Sequence, residues 1–169
     1  MQYGVRPMAS APIIDFAALS LEDVQVHSDG LDRYLKQTGR LRMIDGILHD
    51  DPDSRLVVGY KDISESDWWA PDHVPGRPMF PGALQIEAAA QLSTYDYLAH
   101  RIDKDIVGER FVGFGGLDKT RFRGQVVPGC RLVVATKLLR VSNRMFRYLA
   151  QAFVEDNMVF ESEVLGVIV

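Results

Sequence analysis

One stretch of this chain, from Gly82 to about Ala99, predicts a helix that has no polar side to turn towards the solvent. Apolar residues occupy most of its positions, and Ala, Leu, Gln and Glu are strong helix formers. A helix that is hydrophobic all round is buried. The rest of the chain must therefore enclose this helix, and we expect a sheet to do so.

Strand patterns precede the predicted helix. Apolar residues between Leu41 and Ile47 indicate a strand that begins near Arg40, and Arg55–Lys61 indicates a second strand. The turn-forming cluster His49–Asp53 lies between them, so the two strands are expected to form a hairpin.

The second half of the chain carries further strand patterns. Phe111–Arg123 contains Gly113, Gly115 and Gly116, which predict a bulge or a close approach of two backbones. Short turns then join three long strands into an antiparallel meander, over 131–141, 145–155 and 158–169. We therefore predict an α+β fold, in which an antiparallel sheet of about six strands is wrapped around one long central helix.

The first 39 residues are predicted to form an N-terminal extension that packs on the main domain, residues 40–169. Within the extension, Ser20 followed by Glu22 and Asp23 resembles the capped start of a helix. A short amphipathic helix is expected over Asp29–Gln37, where it would cover part of the sheet.

Composition and charge narrow the classes of function. A formal net charge of -4 argues against a general nucleic-acid binder, and no apolar run approaches the ~20 residues that cross a bilayer, so no membrane insertion is expected. The single cysteine, Cys130, follows Pro128-Gly129 in a turn and predicts a packed or exposed thiol rather than a nucleophile. One cysteine suits a reducing cytoplasm. We expect no secretory signal, metal-ligand set or phosphate loop.

A rigid loop leads into the central helix. It begins at His73, and Pro75, Pro78 and Pro81 fix φ and remove backbone donors along it. Rigid loops hold catalytic groups at fixed distances, and an imidazole suits proton abstraction near neutral pH. A turn histidine that is bonded to the backbone is the alternative for His73.

Glu87 is a second polar residue in apolar surroundings. Burying a lone carboxylate costs several kcal/mol, so this group should be paired or line a cavity. Gln91 lies one turn later on the same face and can hydrogen-bond it; a solvated glutamate at the edge of an interface is the alternative. The amides near Gly82, at the helix start, suit a carbonyl oxygen that gains charge. A base, an acid and an oxyanion site in one segment describe proton abstraction next to a carbonyl.

Two blocks of the sequence resemble those of a known family. HVPGRPMFPGALQIEAAAQ, from His73 to Gln91, is similar to the active-site segment of the FabZ-type β-hydroxyacyl-acyl-carrier-protein dehydratases, relatives of the FabA type. FGGLDKTRFRGQVVPG, from Phe114 to Gly129, resembles a second block of that family. The resemblance spans Leu31–Val169 and implies the hotdog fold.

The resemblance implies a cofactor-free lyase that acts on (3R)-3-hydroxyacyl thioesters in fatty-acid or related lipid biosynthesis. His73 would take the C2 proton, and Glu87 would protonate the departing 3-hydroxyl, which leaves a trans-2-enoyl thioester. The Gly82 amide would polarise the thioester carbonyl, and Gln91 would orient Glu87. The substrate-binding positions that the resemblance implies are Gly82, Gln91, Val74 and Phe80.

The partners follow from the same resemblance. The substrate would arrive on the phosphopantetheine of an acyl carrier protein, an acidic partner. His73 and Glu87 of one pocket come from different subunits in this family, so a homodimer is expected as the smallest active unit, with a trimer of dimers as the higher assembly. A local cationic patch is predicted to receive the carrier, with a solvated strand edge as the alternative: Arg77, Lys119, Arg121, Arg123 and Arg131.

Several positions depart from the family pattern. Val74 stands where phenylalanine is usual, Asp72 precedes the histidine in place of glycine, and Cys130 replaces an aspartate. The first 30 residues have no counterpart, and together these departures indicate a divergent branch. Two other functions stay open: a hotdog thioesterase in which Glu87 activates water, and a non-catalytic acyl-binding subunit.

Overall fold

The computed structural model describes residues 10–103 and 110–169, in which seven antiparallel strands curl around one long helix. The strand order is β1-β2-β3-β5-β6-β7-β4. The bounds are β1 Val26–His27, α1 Ser28–Leu31, β2 Gly46–Asp51, β3 Leu56–Asp62, α2 Gly82–Asp96, β4 Val112–Phe122, β5 Arg131–Val141, β6 Met145–Val154 and β7 Asn157–Ile168. The predicted α+β fold with one central helix is confirmed. The seventh strand is the two-residue β1, which is too short to leave a periodic signal in the sequence.

Helix α2 packs against the concave face of the sheet. Ala88, Ala89 and Leu92 have no exposed surface and contact the inward-facing side chains of the strands. Strand β5 has five consecutive buried residues, 132–136. Consecutive residues of a strand are all buried only when both faces of the strand are covered. The convex face of the sheet must therefore be covered as well.

Residues 10–21 cover that convex face, and we call them the N-terminal strap. Gln151 fastens the strap, because its Oε1 accepts the Ile13 N–H at 2.8 Å and its Nε2 donates to the Ala11 carbonyl at 3.0 Å. The strap's apolar side chains pack on Val58, Val133, Ala135 and Phe153; they are Ile13, Ile14, Phe16, Leu19 and Leu21.

The two helices expected in the N-terminal extension are wrong in detail. Ser20 Oγ accepts the N–H groups of Glu22 and Asp23, but no helix follows. The helix expected over 29–37 ends at Leu31, where the chain tightens into a turn. Leu31 and Leu35 nevertheless reach the core, so the apolar spacing was informative about burial.

The strand expected from Arg40 begins only at Gly46. Gly39–Leu41 is a 3₁₀ turn, and the side chain of Gln91 bonds the Leu41 carbonyl and the Met43 N–H at 2.6 and 2.8 Å. A side chain from the helix therefore takes the backbone groups that a strand partner would need. Strand β2 also runs on to Asp51, so the first residues of the predicted turn cluster belong to the strand.

The C-terminal meander β5-β6-β7 is confirmed, and β4 joins it by pairing with β7. The predicted irregularity in β4 is also confirmed, since the register shifts between Phe114 and Gly116. A Cβ on Gly115 would lie 3.1 Å from Leu165 Cγ, which explains the glycine there. Strand β4 is an edge of the sheet. Among the helices of the described residues, none has both the length and the apolarity to cross a bilayer.

Candidate active site

The loop before α2 is anchored at both ends by buried aromatic residues. Trp69 and Phe80 are almost fully buried and meet edge to face, with ring centroids 5.4 Å apart. The Phe80 N–H also donates to the Val126 carbonyl at 2.7 Å. The segment between the two aromatic residues is therefore held to the core. Phe80, one of the expected substrate-binding positions, packs inside the protomer and lines none of the cavities described below.

His73 is held in one tautomer by this loop. Its backbone N–H donates to the Trp69 carbonyl, and its ring Nδ1 lies 2.7 Å from the Met79 carbonyl oxygen. A carbonyl only accepts hydrogen bonds, so Nδ1 carries the proton and Nε2 keeps its lone pair. Nε2 finds no partner in the described part of the chain. The alternative for His73, a turn histidine bonded to the backbone, describes this same contact. The hydrogen bond to the backbone leaves Nε2 able to accept a proton.

Val74, next to this histidine, has an unusual backbone conformation. Its φ is +59°, which a β-branched residue rarely adopts. The Arg77 N–H donates to its carbonyl at 2.9 Å and closes the turn. Such strain persists where the surrounding structure enforces it, and it is often found at functional sites.

Glu87 is held through one of its two carboxylate oxygens. Its Oε1 accepts a hydrogen bond from Gln91 Nε2 at 2.7 Å, as the spacing on the helix predicts. Gln91 is itself almost fully buried and is fixed by Leu41 and Met43. Oε2 has no hydrogen-bond partner within the described residues. The carboxylate is therefore oriented but keeps one oxygen free for chemistry.

The start of α2 supplies backbone donors. The Leu84 and Gln85 N–H groups both donate to the Pro81 carbonyl, whereas the Gly82 and Ala83 amides have no acceptor in the described chain. Free amides at a helix start carry the positive end of its dipole. A Cβ at position 82 would come within 2.8 Å of the Phe122 ring, so only glycine fits without a shift.

One stripe of α2 borders a cavity that lies between the helix and strands β4, β6 and β7. Glu87, Ala90 and Thr94 line a small pocket of about 70 Å³. Thr94 and Leu98 also line a neighbouring cleft of about 680 Å³, and Gln37 borders both cavities. The half-buried stripe explains the absence of a polar face in the sequence, because apolar residues on this side border a cavity. Glu87 thus lines a pocket beside a much larger space.

His73 does not line the pocket of Glu87 or the adjoining cleft. Of the expected base and the expected acid, Glu87 is the one that lines one of these two cavities. Gly82 lies at the start of the helix that carries Glu87, and Gln91 lies beside the acid itself. Among the predicted site residues that the structure describes, Glu87 and Gln91 are hydrogen-bonded to each other.

Comparisons with known proteins show the family of the chain. The model of the FabA-like domain matches residues 35–163, which is most of the chain. The chain belongs to the FabA-like family. Within that family it is similar to proteins named 3-hydroxyacyl-[acyl-carrier-protein] dehydratase FabZ. The protein from Syntrophobacter fumaroxidans is 37% identical over 135 residues, which are 80% of this chain and 88% of that one. The protein from Moorella thermoacetica is 35% identical over 123 residues, 73% of this chain and 82% of that one.

Solved structures share the fold of this FabA-like chain at low sequence identity. The dehydratase heterocomplex ApeI:P from Xenorhabdus doucetiae matches with a TM-score of 0.68 and 15% identity, over 82% of this chain and 90% of that one. A thioesterase from Staphylococcus aureus matches with a TM-score of 0.57 and 11% identity, over 72% and 90% of the two chains. These likenesses establish the hotdog fold and do not separate its activities.

The five cations predicted to receive a carrier are largely engaged within the FabA-like chain. Lys119 pairs with Glu163, Arg123 with Glu161 and Arg131 with Asp62. The remaining two donate to neutral groups, Arg77 to the Gln125 side chain and Arg121 to the Thr120 carbonyl. This patch stays a prediction, although its ion pairs reduce the charge that it can offer to a partner.

Sequence reasoning missed a polar network at the far end of α2. Asp96 is completely buried, accepts two hydrogen bonds of 3.0 Å from Arg101, and accepts a third from the Tyr148 hydroxyl. The helix passes into a π-helical turn, Tyr97–Arg101, which brings Arg101 back over the carboxylate. A carboxylate in the last turn of an otherwise apolar helix was the signal that could have revealed the network.

His100 belongs to the same end of the molecule. Its Nε2 lies 2.9 Å from both carboxylate oxygens of Asp50, which also accepts the Tyr95 hydroxyl at 2.7 Å. Ligand atoms of Asp50, Asp96 and His100 all lie within 4.8 Å of one another. Both carboxylates already accept hydrogen bonds, and the positive charge of Arg101 disfavours binding of a metal ion. We therefore infer that the cluster stabilises the end of the helix.

Cys130 is half-buried, and burial raises the pKa of its thiol. A thiol with a raised pKa is protonated near neutral pH and is a weak nucleophile. The geometry thus agrees with the expectation of a packed thiol, and the catalytic candidates stay His73 and Glu87.

Proposed function

We propose that the protein dehydrates (3R)-3-hydroxyacyl thioesters, carried on acyl carrier protein, to trans-2-enoyl thioesters in fatty-acid or related lipid biosynthesis. The observation that carries the proposal is the hydrogen bonding of two side chains, which leaves one able to accept a proton and the other able to donate one. His73 keeps an open Nε2 lone pair, and Glu87 is oriented through one oxygen while the other is free. A positioned proton acceptor and a positioned proton donor are what elimination of water requires. The FabZ relatives, which are named as dehydratases, support the same reaction.

The proposed steps balance without a cofactor. Nε2 of His73 takes the C2 proton, and the electron pair left on C2 forms the double bond to C3. The C3–O bond breaks as protonated Glu87 gives its proton to the hydroxyl, which leaves as water. The Gly82 amide stabilises the charge that gathers on the thioester oxygen. Transfer of the proton from His73 back to Glu87 through solvent restores both groups. The phosphopantetheine belongs to the substrate.

The proposed site includes a second copy of the chain, because Glu87 lines the small pocket whereas His73 lines neither that pocket nor the adjoining cleft. Strand β4 supports a dimer, since it is an edge strand with aromatic side chains that are more than half exposed: Phe111 beside its start, and Phe114 and Phe122 within it. An apolar, unpaired edge is a template for pairing with another chain. We propose a homodimer in which His73 of one protomer meets Glu87 of its partner. A trimer of dimers and a cytoplasmic location stay predictions.

Mixing two inactive variants tests both the roles and the subunit crossing. His73→Ala and Glu87→Gln should each be inactive with a 3-hydroxyacyl or 2-enoyl thioester. A mixed dimer carries one site with both native groups, so equal amounts of the two variants, unfolded and refolded together, should recover about a quarter of the native rate. Recovery of no activity would contradict the shared site. Full rates in both single variants would contradict the dehydratase itself. His49→Ala serves as the control for replacing a histidine elsewhere.

A thioesterase is the second candidate, because solved thioesterases share the fold and Glu87 could activate a water molecule. A thioesterase mechanism of this kind gives no catalytic role to Nε2 of His73. Release of free thiol from a 2-enoyl or saturated acyl thioester would favour this activity, whereas a change in enoyl absorbance without thiol release favours dehydration. Binding of acyl chains with neither reaction would favour a non-catalytic acyl-binding subunit.

A further inference from the structure

A row of three residues crosses strands β4, β7 and β6 on the sheet side of the Glu87 pocket. Gly166 of β7 lies in the middle, opposite Phe114 of β4 on one side and Phe146 of β6 on the other. Residues that lie directly opposite each other in antiparallel strands project from the same face of the sheet. All three line the pocket that Glu87 lines from the helix. The row therefore forms the wall of this pocket that faces the central helix.

The ring of Phe146 occupies the space that a side chain at position 166 would need. A Cβ on Gly166 would lie 2.1 Å from Phe146 Cζ and 2.6 Å from its Cε1 and Cε2. Carbon atoms in contact are ~3.5–4.0 Å apart, so no other residue fits at this position unless the ring moves. The glycine thus allows the tip of the ring to reach from β6 across β7.

Two tyrosines hold the Phe146 ring in this place. Phe146 is almost fully buried, and its ring centroid lies 4.9 Å from that of Tyr97 and 5.2 Å from that of Tyr148. The Tyr97 hydroxyl donates to the Ser142 carbonyl at 2.9 Å, and the Tyr148 hydroxyl donates to the buried Asp96 carboxylate. Because both neighbours are fixed by hydrogen bonds, the ring is a rigid part of the pocket wall.

The space between this wall and Glu87 is small. The pocket has a volume of about 70 Å³. A water molecule, which is close in size to a methylene group, takes about 30 Å³ of the liquid, so roughly two groups of that size fit. Val164 projects from the same face of β7 as Gly166 and also lines the pocket. The end of the pocket against the sheet therefore suits a short stretch of hydrocarbon.

The direction of the substrate follows from the sizes of the two neighbouring spaces. In the proposed reaction the C3 hydroxyl meets Glu87, which lines the small pocket and does not line the adjoining cleft. The cleft has a volume of about 680 Å³, and its border includes the exposed residues Arg33 and Lys36, so it opens to solvent. Only the cleft has room for the long phosphopantetheine arm. The carbons beyond C3 are therefore left with the small pocket.

We propose that Phe146, held over Gly166, limits the length of the acyl chain, so that the site accepts 3-hydroxyacyl thioesters of about four to six carbons. This inference rests on the proposed function, which supplies the reaction, and adds the class of substrate. A longer chain requires the ring to move. One methylene group in excess of an apolar pocket changes kcat/KM by ~10-fold or more.

The first test measures hydration of 2-enoyl thioesters on acyl carrier protein, with acyl chains of four, six, eight and ten carbons. In the native protein, kcat/KM should fall by ~10-fold or more between the six-carbon and the eight-carbon thioester. Equal values along the series overturn the proposal without any variant. Native protein that hydrates none of these thioesters contradicts the proposed function instead, so the two failures are distinguishable.

Replacement of the ring tests which residue sets the limit. Phe146→Ala should raise kcat/KM for the eight-carbon thioester, relative to the four-carbon one, by ~10-fold or more. Phe146→Leu, which keeps more of the core filled, should shift the same ratio by a smaller factor. Phe153→Leu is the matched control, because Phe153 is fully buried in the same strand but packs on the convex face. Its ratio should stay within about twofold of the native value, since distant sites act independently.

An unchanged ratio in a folded Phe146 variant overturns the proposal, and so does an equal shift in Phe153→Leu. Gly166→Ala tests the contact itself. The added methyl group projects from the pocket face and pushes the ring into the pocket, so kcat/KM for the four-carbon thioester should fall by ~10-fold or more. Adding Phe146→Leu removes the colliding ring atoms and should restore most of this loss. A double variant no more active than Gly166→Ala would contradict the role of the ring.

Discussion

Helix α2 carries two acidic residues that the fold treats in opposite ways. Among the described residues, Glu87 has one hydrogen-bond partner, Gln91, and its second oxygen has none. Asp96 is fully buried and has three donors, two from Arg101 and one from Tyr148. Both lie on the same apolar helix, so sequence context alone does not separate them.

The difference lies in how completely each carboxylate is satisfied. A buried charge is tolerated only when it is paired and hydrogen-bonded, which describes Asp96. A carboxyl group that must give up a proton needs an oxygen that substrate can reach, which describes Glu87. We infer that Asp96 maintains the end of the helix and that Glu87 acts on substrate. Three substitutions test this division, and a fourth tests a third carboxylate in another part of the molecule.

The largest effect is expected at Glu87. Glu87→Gln preserves the shape of the side chain but removes the transferable proton, so kcat should fall by ~10³-fold, within the usual range for general acid catalysis. The free energy of unfolding should change little, because the amide still reaches Gln91. Steady-state kinetics and urea unfolding measure the two quantities. Glu65→Gln, at an exposed position, is the control. A large loss of stability with retained kcat would reverse the assignment.

Asp96→Asn should act almost wholly on stability. Removal of the charge leaves the nearly buried Arg101 guanidinium uncompensated, and breaking a buried pair in this way costs about 3 kcal/mol or more. Urea unfolding measures the loss. Asp32→Asn is the matched control, because Asp32 pairs with Arg42 but its side chain is 67% exposed, and surface pairs contribute at most about 1 kcal/mol. Similar small losses in both variants would contradict a structural role for Asp96.

Gln91 should affect both quantities, since it orients Glu87 and also bonds the 3₁₀ turn before β2. We expect Gln91→Leu to lower kcat by ~10-fold with KM nearly unchanged, and to cost about 1–3 kcal/mol through the unsatisfied Leu41 and Met43 groups. Gln151→Leu is the matched control, because Gln151 is fully buried and loses its bonds to the N-terminal strap. An equal fall in kcat in both variants would mean that Gln91 has no orienting role.

The smallest effect concerns a third carboxylate, Glu161, which holds the N-terminal strap. Burial raises its pKa, but hydrogen bonds from Ser10 and Arg123 outweigh burial and leave the pKa below the ordinary value of 4.5. A lowered pKa in the folded state stabilises the fold above the ordinary pKa, and this contribution is lost as pH falls through the folded value. The strap should therefore loosen below about pH 4.5.

Glu161→Gln should remove this pH dependence and cost about 1 kcal/mol at neutral pH. Hydrogen exchange at the Ile13 N–H, which donates to Gln151 Oε1, measures the loosening of the strap. In the native protein its protection should fall on acidification, and in Glu161→Gln it should already be low at pH 7. Asp15→Asn, at an exposed position of the same strap, is the control. Unchanged protection in Glu161→Gln would show that the apolar side chains alone hold the strap.

The sequence predicted most of the fold where the signals were local. The meander β5-β6-β7 was located to within a residue or two, because alternation and turn residues act over short distances. The pairing of Gln91 with Glu87 followed from helical spacing. The strand near Arg40 was misplaced because its backbone bonds a side chain that lies far along the chain.

The sequence by itself determined which groups are available for catalysis. They are a histidine at the start of a proline-rich loop and a glutamate on an apolar helix, within the motif that marks the FabA-like family. The tertiary structure alone decided their state. The Met79 carbonyl selects the tautomer of His73, and Arg101 satisfies Asp96, while one oxygen of Glu87 has no partner among the described residues. Hydrogen bonding and charge pairing depend on neighbours that are distant in the chain, and periodicity carries no information about them.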